Sequence, residues 1–175
     1  MSELLNILGL ESGPKYDPTK ALPSDIVAMG QSLVDHASQF LPGTSLTVTY
    51  EVYPDNFRIE FWVDGFAAGF FRASTRVMGG GSDQYLPVEC VDSWKKLGEP
   101  PFWVVRAAGW YDDRLYGKNL GFLAYKILFE WISRQGGAVA PDYCSGGDTS
   151  DDALKVWKRL RQIYPTEGPF IDLRS

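Results

Sequence analysis

Histidine is nearly absent, with His36 the only one in 175 residues. A His-rich zinc site or a Ser–His–Asp triad is therefore poorly supported, no metal ligand set is expected, and His36 reads as a partly exposed helix residue. Cysteine is almost as scarce. Cys90 and Cys144 are too few for a disulfide framework, and a reducing cytosol fits them. Cys144 has no nearby histidine to activate it as a nucleophile. No apolar run is long enough to span a bilayer, and the opening Met1-Ser2-Glu3-Leu4-Leu5 lacks the basic region and cleavage pattern of a secretory signal. A cytoplasmic protein with no membrane partner is the expectation. Basic charge is also short: 17 Lys and Arg against 22 Asp and Glu give a formal net charge of −5. That balance disfavours a broad phosphate-binding surface and so nucleic acid as a partner.

What is there is apolar and aromatic. Hydrophobic residues make up 45% and aromatics 14% of the chain, enough for one sizeable core and one domain. Residues 1–23 read as an arm, a short amphipathic piece (Leu4, Leu5, Ile7, Leu8) and a Pro/Gly-rich connector. Such an arm either packs loosely or makes an oligomer contact. The domain proper runs over 24–175. Ser24 is a plausible N-cap for a helix to about Leu41, with Ile26, Val27, Leu33, Val34, Ala37 and Leu41 on one face. Leu46 to Tyr53 and Phe57 to Val63 alternate apolar and polar residues, Asp64-Gly65 is a hairpin turn, and Phe66 to Ala73 is the return strand. Three antiparallel strands follow.

Met78-Gly79-Gly80-Gly81-Ser82-Asp83 reads as a mobile loop; for a phosphate cradle it lacks a strand before it and a helix after it. Leu86 to Val91 is a short strand or a turn, and Ser93 to Leu97 a brief helix. Phe102 to Trp110 is apolar apart from Arg106, as expected of a strand covered on both faces. Leu120, Leu123, Ala124, Ile127, Leu128 and Trp131 recur at helical spacing. Ala138-Val139-Ala140 is a strand broken by Pro141. Thr149-Ser150-Asp151-Asp152 opens a helix with a capping hydroxyl and acids in its first turn, and Ala153, Val156, Trp157, Leu160 and Ile163 form its inward stripe. Phe170 to Leu173 is a last strand. Trp103, Trp110 and Trp131 read as core residues.

Between the long apolar strand and the helix from Leu120 lies Tyr116-Gly117-Lys118-Asn119-Leu120-Gly121. A glycine-containing turn at a helix head leaves backbone N–H groups pointing at open space with the helix dipole behind them, which makes an anion site. The segment order resembles that of the GNAT superfamily of N-acetyltransferases over roughly residues 24–175, best in 101–160. The resemblance implies an α/β (α+β) fold with a mixed central sheet, antiparallel in its N-terminal part, and helices on both faces. It also implies acetyl-CoA as co-substrate. In that family a loop patterned Gln/Arg-x-x-Gly-x-Gly/Ala binds the coenzyme A pyrophosphate through its amides. Here Tyr116 replaces the initial Gln/Arg and Asn119 replaces a glycine, while Gly117, Lys118 and Gly121 fit. Asn tolerates left-handed backbone angles, so the turn survives; Lys118 and Arg114 are the nearby cations.

Ser150-x-x-Ala153-x-x-x-Trp157 resembles a family segment whose tyrosine often protonates the departing thiolate. Trp157 stands in its place, and an indole N–H is no acid at neutral pH. This form resembles versions carried by bacteriophages, which makes a host cytoplasm the expected location. The resemblance also implies a splay between Gly109-Trp110 and Ala138–Pro141 that exposes main-chain groups to the pantetheine arm. Glu60 is the first candidate base, its alternative being a solvated strand residue. Asp142, past the fifth strand, is the second, its alternative a turn-forming Asp. Asp112 and Asp113 read as turn formers. The implied activity is acetyl transfer to a primary amine on a small molecule or a protein; the alternatives are a catalytically silent binding, inhibitory or virion-associated protein and an enzyme acting on a nucleic-acid base.

Overall fold

The structure, a computed structural model, describes residues 22–76 and 85–174. The arm up to Ala21 and the Met78–Asp83 segment lie outside the described residues.

Strict alternation builds the first half of the sheet. β1 (Leu46–Tyr53), β2 (Asn56–Val63) and β3 (Phe66–Arg76) run antiparallel, in a register that pairs Tyr53 with Asn56 and Val63 with Phe66. Asp64 and Gly65 take φ of 50° and 83°, the mirror-image turn whose twist matches that of the strands it joins. In β2, Phe57, Ile59, Phe61 and Val63 are buried while Arg58, Glu60 and Trp62 are half-buried on the opposite face. β4 (Phe102–Trp110) adds antiparallel to β3, and β5 (Ala138–Pro141) adds parallel to β4. A short hairpin of β6 (Thr166–Glu167) and β7 (Phe170–Asp172) closes the far edge. Among the described residues the sheet has seven strands in the order β1-β2-β3-β4-β5-β7-β6, so the fold is α+β with a mixed sheet.

Helices α1 (Ser24–Ser38), α3 (Leu120–Gln135) and α4 (Asp151–Leu160) share one core with the sheet face carrying Phe57, Ile59, Phe61, Phe71, Trp103 and Val139. Helix α2 (Val88–Lys96) belongs to a second cluster on the other face, where Leu86 and Cys90 meet Phe102, Val104, Ala138, Ala140 and Phe170. Each such fully buried large side chain contributes roughly 1.5–3 kcal/mol of transfer free energy. Helix α1 lies so close to β1 that a Cβ at Gly30 would overlap the Tyr50 hydroxyl. No helix among the described residues is long and apolar enough to cross a membrane.

Several expectations need correction. Pro23, not Ser24, precedes the first helical residue, and no side chain caps α1. That helix ends at Ser38 and continues as a turn, and Val27 is 45% exposed rather than inward. Leu86 to Val91 is not a strand: Pro87 starts α2, whose nine residues carry Cys90 and Ser93 on the buried side. Ile163 lies beyond α4 and is exposed. β4 is covered on both faces only up to Val105. The largest correction concerns cysteine. Cys90 and Cys144, 54 residues apart, are joined as a disulfide with Cα atoms 5.6 Å apart, and both are fully buried.

Candidate functional site

The site begins with an extra residue in β4. Ala73 pairs with Val105 and Arg72 with Ala107, so Arg106 has no opposite number in β3. A bulge of this kind bends the strand and reverses the alternation beyond it. Val105 and Trp110 accordingly pack toward the same core although they are five positions apart, an odd interval that unbroken alternation would put on opposite faces. On its other edge β4 pairs with β5 only from Phe102–Ala138 to Val105–Pro141. From Arg106 to Trp110 no strand among the described residues lies beside that edge, and two clefts open there.

The larger cleft has a volume of about 460 Å³, within the roughly 300–1,000 Å³ usual for small-molecule sites. Gly109, Trp110, Tyr116, Gly117, Asn119, Leu120 and Gly121 line it from β4 and the loop, facing Ser150, Asp152, Val156 and Arg159 of α4 and its cap. The smaller, about 320 Å³, shares Ala108, Gly109, Trp110, Tyr125, Ser150 and Ala153 with it and adds Arg106, Asp142 and Asp148. Trp110, expected as core, both packs on Phe61 at 4.8 Å and walls the two clefts.

At the loop, Gly117 takes φ of 73° and Asn119 φ of 63°, so the chain turns through two left-handed residues before α3 starts. The first N–H groups of any helix have no intrahelical partner. Here no side chain caps them, and no acidic residue stands in the first turn of α3 to oppose an anion. No backbone turn bond of the described residues is donated by Gly117, Lys118, Asn119, Leu120 or Gly121. A Cβ at Gly117 would meet nothing, and one at Gly121 only the Trp110 indole nitrogen at 4.0 Å, so the space above both is open. The Asn119 side chain does not cap because its Oδ1 accepts from the Arg159 guanidinium across the mouth of the cleft. The Tyr116 hydroxyl likewise donates to Asp152 on α4.

The cations differ from those expected. Lys118 lies over the Phe40 ring, 5.4 Å from its centre, and is not part of the cleft wall. Arg114 pairs with Asp112 at 2.7 Å; that contact raises the guanidinium's pKa and holds the Asp112 carboxyl below its usual range. Asp112 also accepts from the Arg114 amide, the turn-forming role expected of it. The cleft's cation is Arg159, which stacks 4.1 Å from the centre of Phe122. Sequence reasoning missed it, although Asp152, Lys155 and Arg159 recur at the spacing of one exposed helical face.

The two candidate bases separate. Glu60 sits on β2 opposite Phe70 and pairs with Arg58 at 2.5 Å; it lines neither cleft. Asp142 opens the 3-10 turn Asp142–Ser145 at the end of β5 and lines the smaller cleft. Ser145 Oγ donates to Asp142 Oδ1 at 2.5 Å, and the Gly147 backbone lies against the carboxylate so closely that a Cβ there would overlap Oδ2. Trp157 is buried, with its ring edge-on to Tyr125 at a centroid distance of 5.8 Å. Tyr125, also missed, is the one tyrosine common to both clefts. Burial pushes its pKa well above the ordinary phenol value, and a hydrogen bond with Trp157 acts in the opposite direction. Tyr125 stands outside the stripe Leu120, Leu123, Ala124, Ile127, Leu128 and Trp131 read from the sequence, and spacing alone gave no signal of this. No protein-family model matches this chain, and no curated protein matches it significantly.

Proposed function

We propose that the protein is an acyl-CoA-dependent N-acetyltransferase of the GNAT type that acts on a primary amine. The observation that carries this reading is the pairing of an uncapped helix head, flanked by Gly117 and Gly121, with a cleft that runs from it past the unpaired edge of β4. The amides at the head of α3 and the guanidinium of Arg159 suit a diphosphate, and the open backbone of Ala108–Trp110 suits an amide-bearing arm. Bound there, acetyl-CoA would supply an activated acyl group.

The chain's own residues fit the remaining tasks. Of the two carboxylates in the smaller cleft, Asp142 and Asp148, Asp142 stands at the end of β5 and is assigned to accept the proton an ammonium must lose before attack. Tyr125 keeps its proton at every working pH because burial opposes the phenolate, so its hydroxyl serves as a hydrogen-bond donor to charge developing between the two clefts. Trp157 holds the place of the family's acid without being one, and its indole supports Tyr125 instead. Proximity of two bound reactants supplies much of the acceleration. A host cytoplasm, where acetyl-CoA is available, is the setting of this proposal; the Cys90–Cys144 bond is fully buried there, out of reach of a dissolved reductant.

A second reading, a silent binding protein on the same scaffold, is favoured by the Tyr116–Asp152 and Asn119–Arg159 contacts, which tie the loop to α4 across the cleft mouth. Isothermal titration with acetyl-CoA separates the two. Saturable binding that Arg159→Gln weakens supports the transferase; no heat at millimolar coenzyme removes it and leaves the binding protein.

A further inference from the structure

We propose that the smaller cleft selects an amine acceptor that also carries an anionic group, a carboxylate or a phosphate, close to its amine. This rests on the transferase reading and adds to it the chemistry of the acceptor. Four arginines away from the clefts are ion-paired: Arg58 with Glu60, Arg114 with Asp112, Arg134 with Asp25 and Glu130, and Arg174 with Asp172. Arg161 instead donates to the Pro169 carbonyl. The arginines that line the clefts have neutral partners. Arg159 donates to Asn119 in the larger cleft; Arg106 donates to Ser74 at 3.0 Å and to Ser145 at 3.4 Å in the smaller. Among the described residues no carboxylate pairs with Arg106.

Arg106, two residues on from Val104, lies on the sheet face that carries Val104's partner Ser74, beside the splay. On the same face Arg72 stands directly opposite Arg58, and its guanidinium bonds the neutral Asn56 side chain at 3.2 Å, while Arg58 is offset by Glu60. Like charges on facing strand positions are unfavourable, and a net-acidic chain has carboxylates enough to offset them. Arg58 and Arg72 lie on the strands beyond the cleft, whose own wall carries one guanidinium, Arg106, with the carboxylates of Asp142 and Asp148. On the cleft wall itself, Arg106 and Asp142 flank one hydroxyl: Ser145 Oγ accepts from Arg106 and donates to Asp142. A guanidinium and a carboxylate one serine apart match a molecule bearing both an anion and an ammonium group. The anion lies on Arg106, and the amine is thereby directed toward Asp142.

The test is acetyl transfer, followed by thiol release, to matched pairs of acceptors: alanine and ethylamine, phenylalanine and phenethylamine, phosphoethanolamine and ethanolamine. The anionic member of a pair should have at least about tenfold higher kcat/KM, the scale of one charge-assisted hydrogen bond. Preference in the amino-acid pairs assigns a carboxylate, and preference in the last pair a phosphate. Arg106→Gln should raise KM for the preferred acceptor by about tenfold with KM for acetyl-CoA within about twofold, and Arg106→Lys should recover part of the loss. Equal or better turnover of the neutral amines overturns the proposal, as does an unchanged KM in Arg106→Gln. If acetyl-CoA fails to bind, the transferase reading falls separately. Titration of the chain with inorganic phosphate and with alanine then decides the acceptor site: loss of binding in Arg106→Gln supports it, and absence of binding in the wild type overturns it.

Discussion

Replacing Asn119 with glycine should strengthen coenzyme binding. Asn119 sits at φ 63° and ψ 10°, a conformation glycine adopts freely and an L-residue adopts at a cost of up to roughly 1 kcal/mol. The backbone strain relieved by the change offsets the loss of one exposed hydrogen bond to Arg159, so the melting temperature should hold. What the substitution removes is the acceptor that occupies the Arg159 guanidinium at the cleft mouth. Hydrogen bonds to charged groups contribute about 1.5–3 kcal/mol, and an exposed one sits at or below the low end. Taking about 1 kcal/mol as the competition relieved, Kd for coenzyme A falls about fivefold. Isothermal titration of wild type, Asn119→Gly, Arg159→Gln and the double variant reads this directly. Arg159→Gln alone should bind about tenfold more weakly, and in its background the Asn119→Gly gain should vanish. Weaker binding by Asn119→Gly at unchanged stability would refute the reasoning, because Asn119 would then be a ligand contact rather than a competitor. An unaltered Kd in Arg159→Gln would take the larger cleft out of the mechanism altogether.

Gly147→Ala places a methyl group in the volume of the Asp142 carboxylate, so its kcat should fall with that of Asp142→Asn, by about a hundredfold, with coenzyme affinity within about twofold; steady-state kinetics and titration check both. Tyr125 has its pKa raised by burial above the ordinary 10.0. It therefore contributes stability that is intact below about pH 10 and lost as pH rises toward the folded value, so urea-unfolding free energy between about pH 9 and about pH 12 should fall more steeply in wild type than in Tyr125→Phe. Closing a loop of 54 residues with the Cys90–Cys144 bond stabilises the fold by about 4 kcal/mol on the chain-entropy model. The Cys90→Ala, Cys144→Ala pair should lower the urea midpoint accordingly, and an unmoved midpoint would show that the bond constrains nothing.

The hairpins were legible because two independent signals coincide there: alternation in Leu46–Tyr53 and Phe57–Val63, and a turn at Asp64-Gly65 that only left-handed residues complete. The seat of α3 was legible for the same reason, since Gly117, Gly121 and the stripe from Leu120 agree on where the helix begins. Where one signal stood alone the reading slipped. Helix α2 has nine residues, too few for periodicity to outweigh the β-branched Val88 and Val91, and Pro87 rather than a polar cap starts it. The disulfide joins segments 54 residues apart, and nothing local announces it.

Arg106 is the instructive case. A lone charge in the run Phe102–Trp110 was visible, yet it reads as an interruption until the register shows that it is an inserted residue. The insertion does three things at once. It moves Trp110 onto the core side, and it bends β4 where its pairing with β5 stops. It also leaves a guanidinium bonded only to hydroxyls beside the resulting opening. A strand without the bulge would present residue 106 in register with β3 and keep the alternation through residue 110, which would turn Trp110 away from Phe61 and Phe71, the rings that now hold it at 4.8 Å and 5.2 Å. The clefts and the charge that marks them thus share one cause, a single extra residue, and deleting Arg106 should abolish both coenzyme binding and acceptor preference where Arg106→Gln touches the second alone.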